Sequence, residues 1–485
     1  MLWIALFMPE LPLQLAERAQ PTPTACVIAD GPALRPLVHC ANAAARTEGV
    51  NAGMPVAAAR ALASQLIVLQ RDENAETQAL HNIACWACQF TPSVCVQPAQ
   101  GLLLEVGSTL LMHGGLSRLL VRIGKGLVEL GYHASPGIAP TPLAAWLLAK
   151  ARALGMRTRT CRETQLLPER LATLPLALLD WRTDTLQTLQ GLGINTIGQC
   201  LRLPRDGFIK RFGAERRLDL DKSIGSAADP RHWFTPPDTF ANRIEFGFEL
   251  NDTTMLLFPL KRLLRELEGF LRARSAGVQQ WQLLLDHMNH GHSCIVISVA
   301  APERSLERFL LLAREKLAQL QLSAPVLALG IAADKLQEFS EHTQGLVPDT
   351  QSRAIGWNHL IDRLVTRLGN HKVYRLRAVD DHRPERAWQS RVATAGKQTS
   401  AAMPALPRPL WLLRTPRSLL CDNDTPLYQG RLQLMAGPER IESGWWDGEP
   451  ARRDYYVARN PHGETVWIYR EHQRHSRWYL HGVFA

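Results

Sequence analysis

Three groups of residues in this chain have the types and spacing to handle phosphate or metal. The first is Ala45-Arg46-Thr47-Glu48-Gly49-Val50-Asn51-Ala52-Gly53-Met54-Pro55. Arg46 offers a planar fork of donors suited to phosphate oxygens, and the glycines let the backbone turn sharply. An alanine- and glycine-rich helix hairpin with a structural arginine is the other interpretation. The second group is Leu189-Gln190-Gly191-Leu192-Gly193-Ile194-Asn195-Thr196-Ile197-Gly198. A tight turn of this kind, with free N–H groups meeting a helix N-terminus, would seat a backbone phosphate regardless of sequence. Its candidates are Gly191, Gly193, Asn195, Thr196 and Gly198; Lys210, Arg211, Arg216 and Arg217 follow and could extend the contact. Such hairpins also serve purely as packing units. The third group is Cys85 and Cys88, with His81 one helical turn earlier. Zinc wants four ligands and no second pair completes them, so no metal is assigned and two buried thiols on a helix face fit better.

These residues need elements to position them. Leu2 to Phe7 is an apolar run ended by Pro9, as expected for a central strand, and Leu11 to Arg18 suits a helix. Strands alternating with helices continue for about the first 170 residues, which implies an α/β layer arrangement. Asp184 to Ile224 turns to short helices separated by glycines. Arg243 to Lys335 combines extended segments with two amphipathic helices, an α+β pattern. Gln337 to Ser352 is polar, with Gly345 and Pro348, and suits a linker. The remainder holds Pro-rich stretches and aromatic strands.

At 485 residues the chain is too long for one core. Its hydrophobic content of 46% and charged content of 21% are ordinary for a globular protein. No apolar run reaches the roughly 20 residues that span a bilayer. The N-terminal apolar run lacks a preceding basic region, so it suits a buried strand rather than a signal peptide. Nine cysteines without framework spacing suit a reducing cytoplasm, where the chain is expected. The net charge of +10 points to a polyanionic partner. From Arg353 onward 21 Lys and Arg stand against 13 Asp and Glu, so 21 − 13 = +8 of that total lies there.

The segment around Arg46 resembles the fingers motif of Y-family DNA polymerases, A-R-x-x-G-[VI]-x-x-G-M-P. The second segment looks like the helix–hairpin–helix of their thumb. By order and spacing the resemblance extends over nearly the whole chain. It implies a multidomain α/β and α+β fold: palm and fingers over 1–175, thumb over 176–235, little finger over 242–335, a linker over 336–352 and a basic C-terminal partner-binding region over 353–485. The segments from Asp381 to Trp388, Gly437 to Trp446 and Trp478 to Phe484 are similar to the polymerase-like proteins of bacterial mutagenesis cassettes.

Polymerisation needs two magnesium ions held by carboxylates. The family supplies two Asp at the end of the first strand and an adjacent Asp-Glu before a later one. Here the first strand carries Ala5 and Phe7, and Gln100 and Gly101 stand where the acidic pair belongs. The family's triphosphate-binding tyrosine is replaced by Ala43, and its S-x-N-K loop by Ala139-Pro140-Thr141-Pro142. Arg46 is the main survivor, as a phosphate-binding remnant. The resemblance therefore implies no catalysis and no cofactor. The exception to weigh is a metal held by Glu10 and Glu105, which would leave an active polymerase with atypical ligands.

What remains could grip DNA. Lys261, Arg262, Arg265, Arg272 and Arg274 are expected to form a basic stripe on a helix; a solvated face is the alternative. Bacterial sliding clamps bind short extended Q-L-x-L-F-like peptides, and Gln344, Leu346 and Val347 give a degenerate match in the linker. The resemblance further implies a RecA-like ImuA-type partner and an error-prone DnaE-type polymerase, in translesion synthesis during the DNA-damage (SOS) response. A DNA-binding regulator without polymerase partners is the other possibility.

Overall fold

The architecture is that of a computed structural model describing residues 1–18, 24–32, 34–98, 100–288, 291–339, 350–369, 372–392, 407–472 and 477–484. The chain divides into two compact units, Met1–Thr366 and Arg367–Ala485.

The first unit opens with β1 (Trp3–Phe7) and α1 (Leu11–Glu17). A small lobe follows, made of β2 (Cys26–Asp30), β3 (Leu37–Ala41), α2 (Ala43–Thr47), α3 (Val56–Leu62) and β4 (Ile67–Gln70), its strands ordered β3-β2-β4. The chain then returns through α4 (Glu73–Ala87), β5 (Val94–Gln97), β6 (Gly101–Glu105), α5 (Leu116–Leu130), β7 (Ser135–Ala139) and α6 (Pro142–Ala153). The sheet order β5-β6-β1-β7 is antiparallel at every pair, with β1 in the middle. Strand alternation explains why β1 is apolar throughout. Leu2, Ile4 and Leu6 face α4 and α5, while Trp3 and Ala5 face α6, so both faces are covered.

Five short helices come next: α7 (Leu167–Leu171), α8 (Thr183–Gly191), α9 (Ile197–Leu201), α10 (Arg205–Phe212) and α11 (Ala214–Ile224). Their buried residues Leu171, Leu189, Ile197, Phe208 and Leu220 join one core with α6 and the second face of β1.

An α+β layer follows, with β8 (Phe240–Leu250), α12 (Leu257–Ala273), β9 (Ala276–His287), β10 (His292–Glu303), α13 (Leu306–Leu317), β11 (Val326–Ala333) and β12 (Leu336–Glu338). Its strand order is β10-β9-β11-β8, with β12 added to β9. The expected linker is thus shorter at its start, because residues 336–338 complete a sheet. Helix α14 (Thr350–Leu368) also departs from the expected boundary at 353. Asp362 on it is buried, accepts from the Ala300 N–H at 2.8 Å and pairs with Arg308, which ties it to the α+β layer.

The second unit holds β13 (Tyr374–Ala378) paired with β14 (Trp388–Val392), then β15 (Trp411–Ser418), β16 (Leu420–Asp422), β17 (Thr425–Leu427), β18 (Gln433–Ser443), β19 (Ala451–Arg459), β20 (Thr465–Glu471) and β21 (Trp478–Val483). Five of these form an antiparallel sheet ordered β15-β21-β20-β19-β18, with Tyr455, Trp467 and Tyr469 in its core.

Candidate functional site

The centre of the first sheet, where the sequence comparison with polymerases looked for metal-binding carboxylates, is filled by packing. Register sets Ala5 against Leu103 and Phe7 against Gly101. Ala5 and Leu103 are fully buried, and the Phe7 ring meets Trp146 of α6 edge-to-face at 5.4 Å. Gln100 spends its carbonyl on the Met8 N–H at 2.7 Å.

Gly101 is more telling than a missing carboxylate. Its φ is +149°, and a Cβ placed there would lie 1.9 Å from the Leu6 carbonyl oxygen and 3.3 Å from the Phe7 Cα. Strand β1 has closed over the position, so a side chain of any kind collides with backbone.

The two glutamates weighed as alternative ligands are kept apart. Trp3 faces Glu105 while Phe7 faces Gly101, so Glu105 and Glu10 stand at opposite ends of the strand pair. The ends of a five-residue strand are roughly 13 Å apart. Glu105 accepts from the Leu2 N–H at 3.0 Å and the Gly107 N–H at 3.1 Å, a structural role at a strand end. Glu10 instead takes the Arg46 guanidinium at 2.7 Å.

Arg46 owes its place to local structure. Asn42 caps α2 by accepting from the Ala45 N–H at 2.9 Å, and its amide donates to the Thr24 carbonyl and to Glu17. Arg46 emerges from this short helix half-exposed, and its ion pair with Glu10 is itself exposed. Such a pair contributes about 0–1 kcal/mol, so an arriving phosphate could displace Glu10 at little cost.

The helical hairpin folds as the spacing suggested but leaves fewer donors than expected. Thr196 caps α9 with a reciprocal box: Gln199 Oε1 accepts from the Asn195 N–H at 2.8 Å and the Thr196 N–H at 3.1 Å. The N–H groups of Gly193, Ile194 and Ile197 go to the carbonyls of Gln190, Leu189 and Leu174. Gly198 corrects the expectation outright. Its N–H donates to the Ala172 carbonyl, and a Cβ would lie 2.8 Å from three Ala172 atoms, so this glycine serves helix packing. Gly191 and Gly193 have open space where a Cβ would go. Lys210 and Arg211 on α10 are exposed, whereas Arg217 is tied to Asp221 at 3.0 Å and Arg216 donates to the Phe212 carbonyl.

The expected basic stripe on α12 does not form, because the helix packs against α4 and α5 and spends its charges inward. Arg265 pairs with Glu129 at 2.7 Å and Glu268 at 2.8 Å, and Arg272 pairs with Glu268 at 2.9 Å. Arg262 lies over the Phe258 ring and donates to the Arg18 carbonyl; burial pulls it down to about 10. Arg274 lies over Phe270 and donates to the carbonyls of Pro236 and Pro237. Lys261 alone of the five faces solvent without a counter-charge among the described residues.

Sequence patterning missed the group at the heart of this docking. Arg18, at the end of α1, is buried with Glu266 of α12 and donates to the Tyr132 hydroxyl at 2.6 Å and the Leu130 carbonyl at 3.0 Å. Glu266 also accepts from Asn242 of β8. An acidic residue amid the basic ones of α12 was the available signal. Nearby, burial raises the Cys85 thiol to about 12 and Cys88 to about 11, so both stay protonated thiols. Gln344, Leu346 and Val347 lie outside the described residues. Among the described residues no helix is long and apolar enough to cross a membrane.

Residues 7–150 match the impB/mucB/samB family model. The chain is 27% identical over 462 residues to Protein ImuB of Caulobacter vibrioides, covering 90% of this chain and 100% of that protein. It is 24% identical over 251 residues to DNA polymerase IV of Dehalococcoides mccartyi, covering 51% of this chain and 64% of that one. Among solved structures, a Y-family DNA polymerase chimera of Dbh and Dpo4 aligns at TM-score 0.41 and 17% identity, over 69% of this chain and 99% of that one. Similarity at this length, together with the motifs at Arg46 and at the Gly191–Gly198 hairpin, makes the chain ImuB-like and related to the Y-family polymerases.

Proposed function

We propose that this protein is a non-catalytic, Y-family-like scaffold in DNA-damage-induced translesion synthesis. It binds DNA and the sliding clamp and brings an error-prone DnaE-type polymerase, with a RecA-like ImuA-type protein, to the lesion. The observation that carries this is the centre of the first sheet. Phe7 is packed on Trp146, and Gly101 is held where no side chain fits, at positions that magnesium chemistry would need as carboxylates. Similarity to ImuB along the chain supports the mutagenesis setting.

DNA contact falls to the surfaces that keep solvent-facing charge. These are Lys210 and Arg211 beside the hairpin, Arg46 at the edge of the small lobe, and Lys261. The clamp would take the peptide around Gln344, Leu346 and Val347, and the C-terminal unit would receive the protein partners.

The test is primer extension by the pure protein with Mg²⁺ or Mn²⁺ at saturating nucleotide. No extension is expected, while gel-shift assays should still detect DNA. Robust extension that disappears on Glu105→Ala would return the chain to the working polymerases.

A further inference from the structure

A cleft of about 570 Å³ lies between α1, α4, one face of the small-lobe sheet and strand β8. It plays no part in the function proposed above. Seven consecutive β8 residues, Asn242 to Phe248, line it. Side chains alternate along a strand, so an unbroken run means that the strand presents its edge. The sheet order agrees: among the described residues β8 is terminal and pairs only with β11. Beyond Glu245 the strand arches, with residues 246–249 standing opposite the single residue Leu327. Arg243 gives its N–H to the side-chain oxygen of Asn242 at 2.8 Å, which puts the N–H groups of Arg243 and Glu245 on the outer edge within the regular register, that of Glu245 being the one left for a partner.

The opposite wall is apolar. Ile28, Ile67 and Leu69 from the small-lobe sheet and Leu15 from α1 face the cleft. Its charges are mostly spent: Arg18 on Glu266, Arg71 on Glu76, and Arg243 on Glu245. Glu17 and Asp72 are left without a cation among the described residues. An apolar wall with surplus carboxylate repels a phosphate backbone and suits a chain with apolar side chains and a basic one.

We propose that this cleft is a strand-addition site. It takes an extended segment of a partner protein, which pairs with the β8 edge, turns alternate apolar side chains onto Ile28, Ile67 and Leu69, and sets a lysine or arginine beside Glu17 or Asp72. Unpaired strand edges are ready templates for such pairing, with backbone bonds giving affinity and pockets giving specificity.

The probe is a phage-displayed library of random dodecapeptides panned against the full-length protein. Enriched sequences should alternate apolar residues and carry a basic one. A synthetic representative should slow amide exchange in residues 242–248. Leu69→Lys on the wall, and Glu245→Pro, which removes one outward N–H from an edge where proline is tolerated, should each weaken it at least about tenfold. Circular dichroism of both variants checks that they fold. Failure to enrich any peptide overturns the proposal, as does an enriched peptide that protects another surface or binds both variants as it binds the parent. Protection of the β8 edge by a second copy of the chain, in place of peptide, overturns it too. A positive primer-extension result would leave this test unaffected.

Discussion

Replacing Gly101 tests whether backbone closes the centre of the first sheet against any side chain. The perturbation is Gly101→Ala, one methyl group. Its Cβ would sit 1.9 Å from the Leu6 oxygen, against an ordinary carbon–oxygen approach of about 3.3 Å, so β1 and β6 must separate by more than an ångström. Two costs combine: forcing a side chain onto a glycine-only backbone, about 1–3 kcal/mol, and overpacking a filled core, about 1–3 kcal/mol more. The sum of about 2–6 kcal/mol is a large share of the stability of a domain. Scanning calorimetry or circular dichroism should place the first unit's transition roughly 3–8 °C lower. Gly207→Ala is the control, on a helical glycine with open space around its Cβ; it should be neutral or slightly stabilising. An unchanged transition for Gly101→Ala would refute the closure. Function follows the same logic: Ala5→Asp, Phe7→Asp, Gln100→Asp and Gly101→Glu introduced together should not yield primer extension, because the last cannot reach its place.

Further outcomes follow from the same geometry. Glu266→Gln strands the buried Arg18 charge and should cost about 3–5 kcal/mol, seen as a lower melting temperature; replacing both residues with apolar ones should recover most of the loss, and a single variant that melts normally contradicts the pairing. With DNA held through Lys210 and Arg211 as proposed, replacing both with Ala should flatten the slope of log affinity against log salt by about 1.8 for any DNA sequence; an unchanged slope removes these residues from the interface. His481, buried and bonded to the Tyr455 hydroxyl at 2.8 Å, is held down at about 4 from 6.5. The unfolded chain therefore binds a proton that the folded one refuses, and stability should be full above pH 6.5 and fall toward pH 4. Urea midpoints followed by tryptophan fluorescence check this, and a parent curve as flat as that of His481→Gln would contradict it.

Much was legible because it rests on local rules. The apolar run at Leu2–Phe7 demanded a strand covered on both faces, and the capped, glycine-punctuated segment at 189–198 demanded a helical turn; both formed. That Ala5, Phe7, Gln100 and Gly101 carry no carboxylate could be read as residue types. The fate of individual charges could not. By spacing Arg265 and Arg272 belong to a basic stripe, yet Glu129 and Glu268 claim them once α12 lies against α4 and α5. Gly198 carried the hairpin pattern and turned out to be the contact point with Ala172.

The sequence by itself determined which elements exist and which residue types stand on them, since periodicity, capping and side-chain type act over a few residues. Only the tertiary structure decided where the charges point, that β1 closes over Gly101, and that β8, terminal in its sheet among the described residues, faces an apolar wall. Those outcomes depend on segments far apart in the chain meeting at ångström distances, and no local pattern encodes which carboxylate an arginine will find.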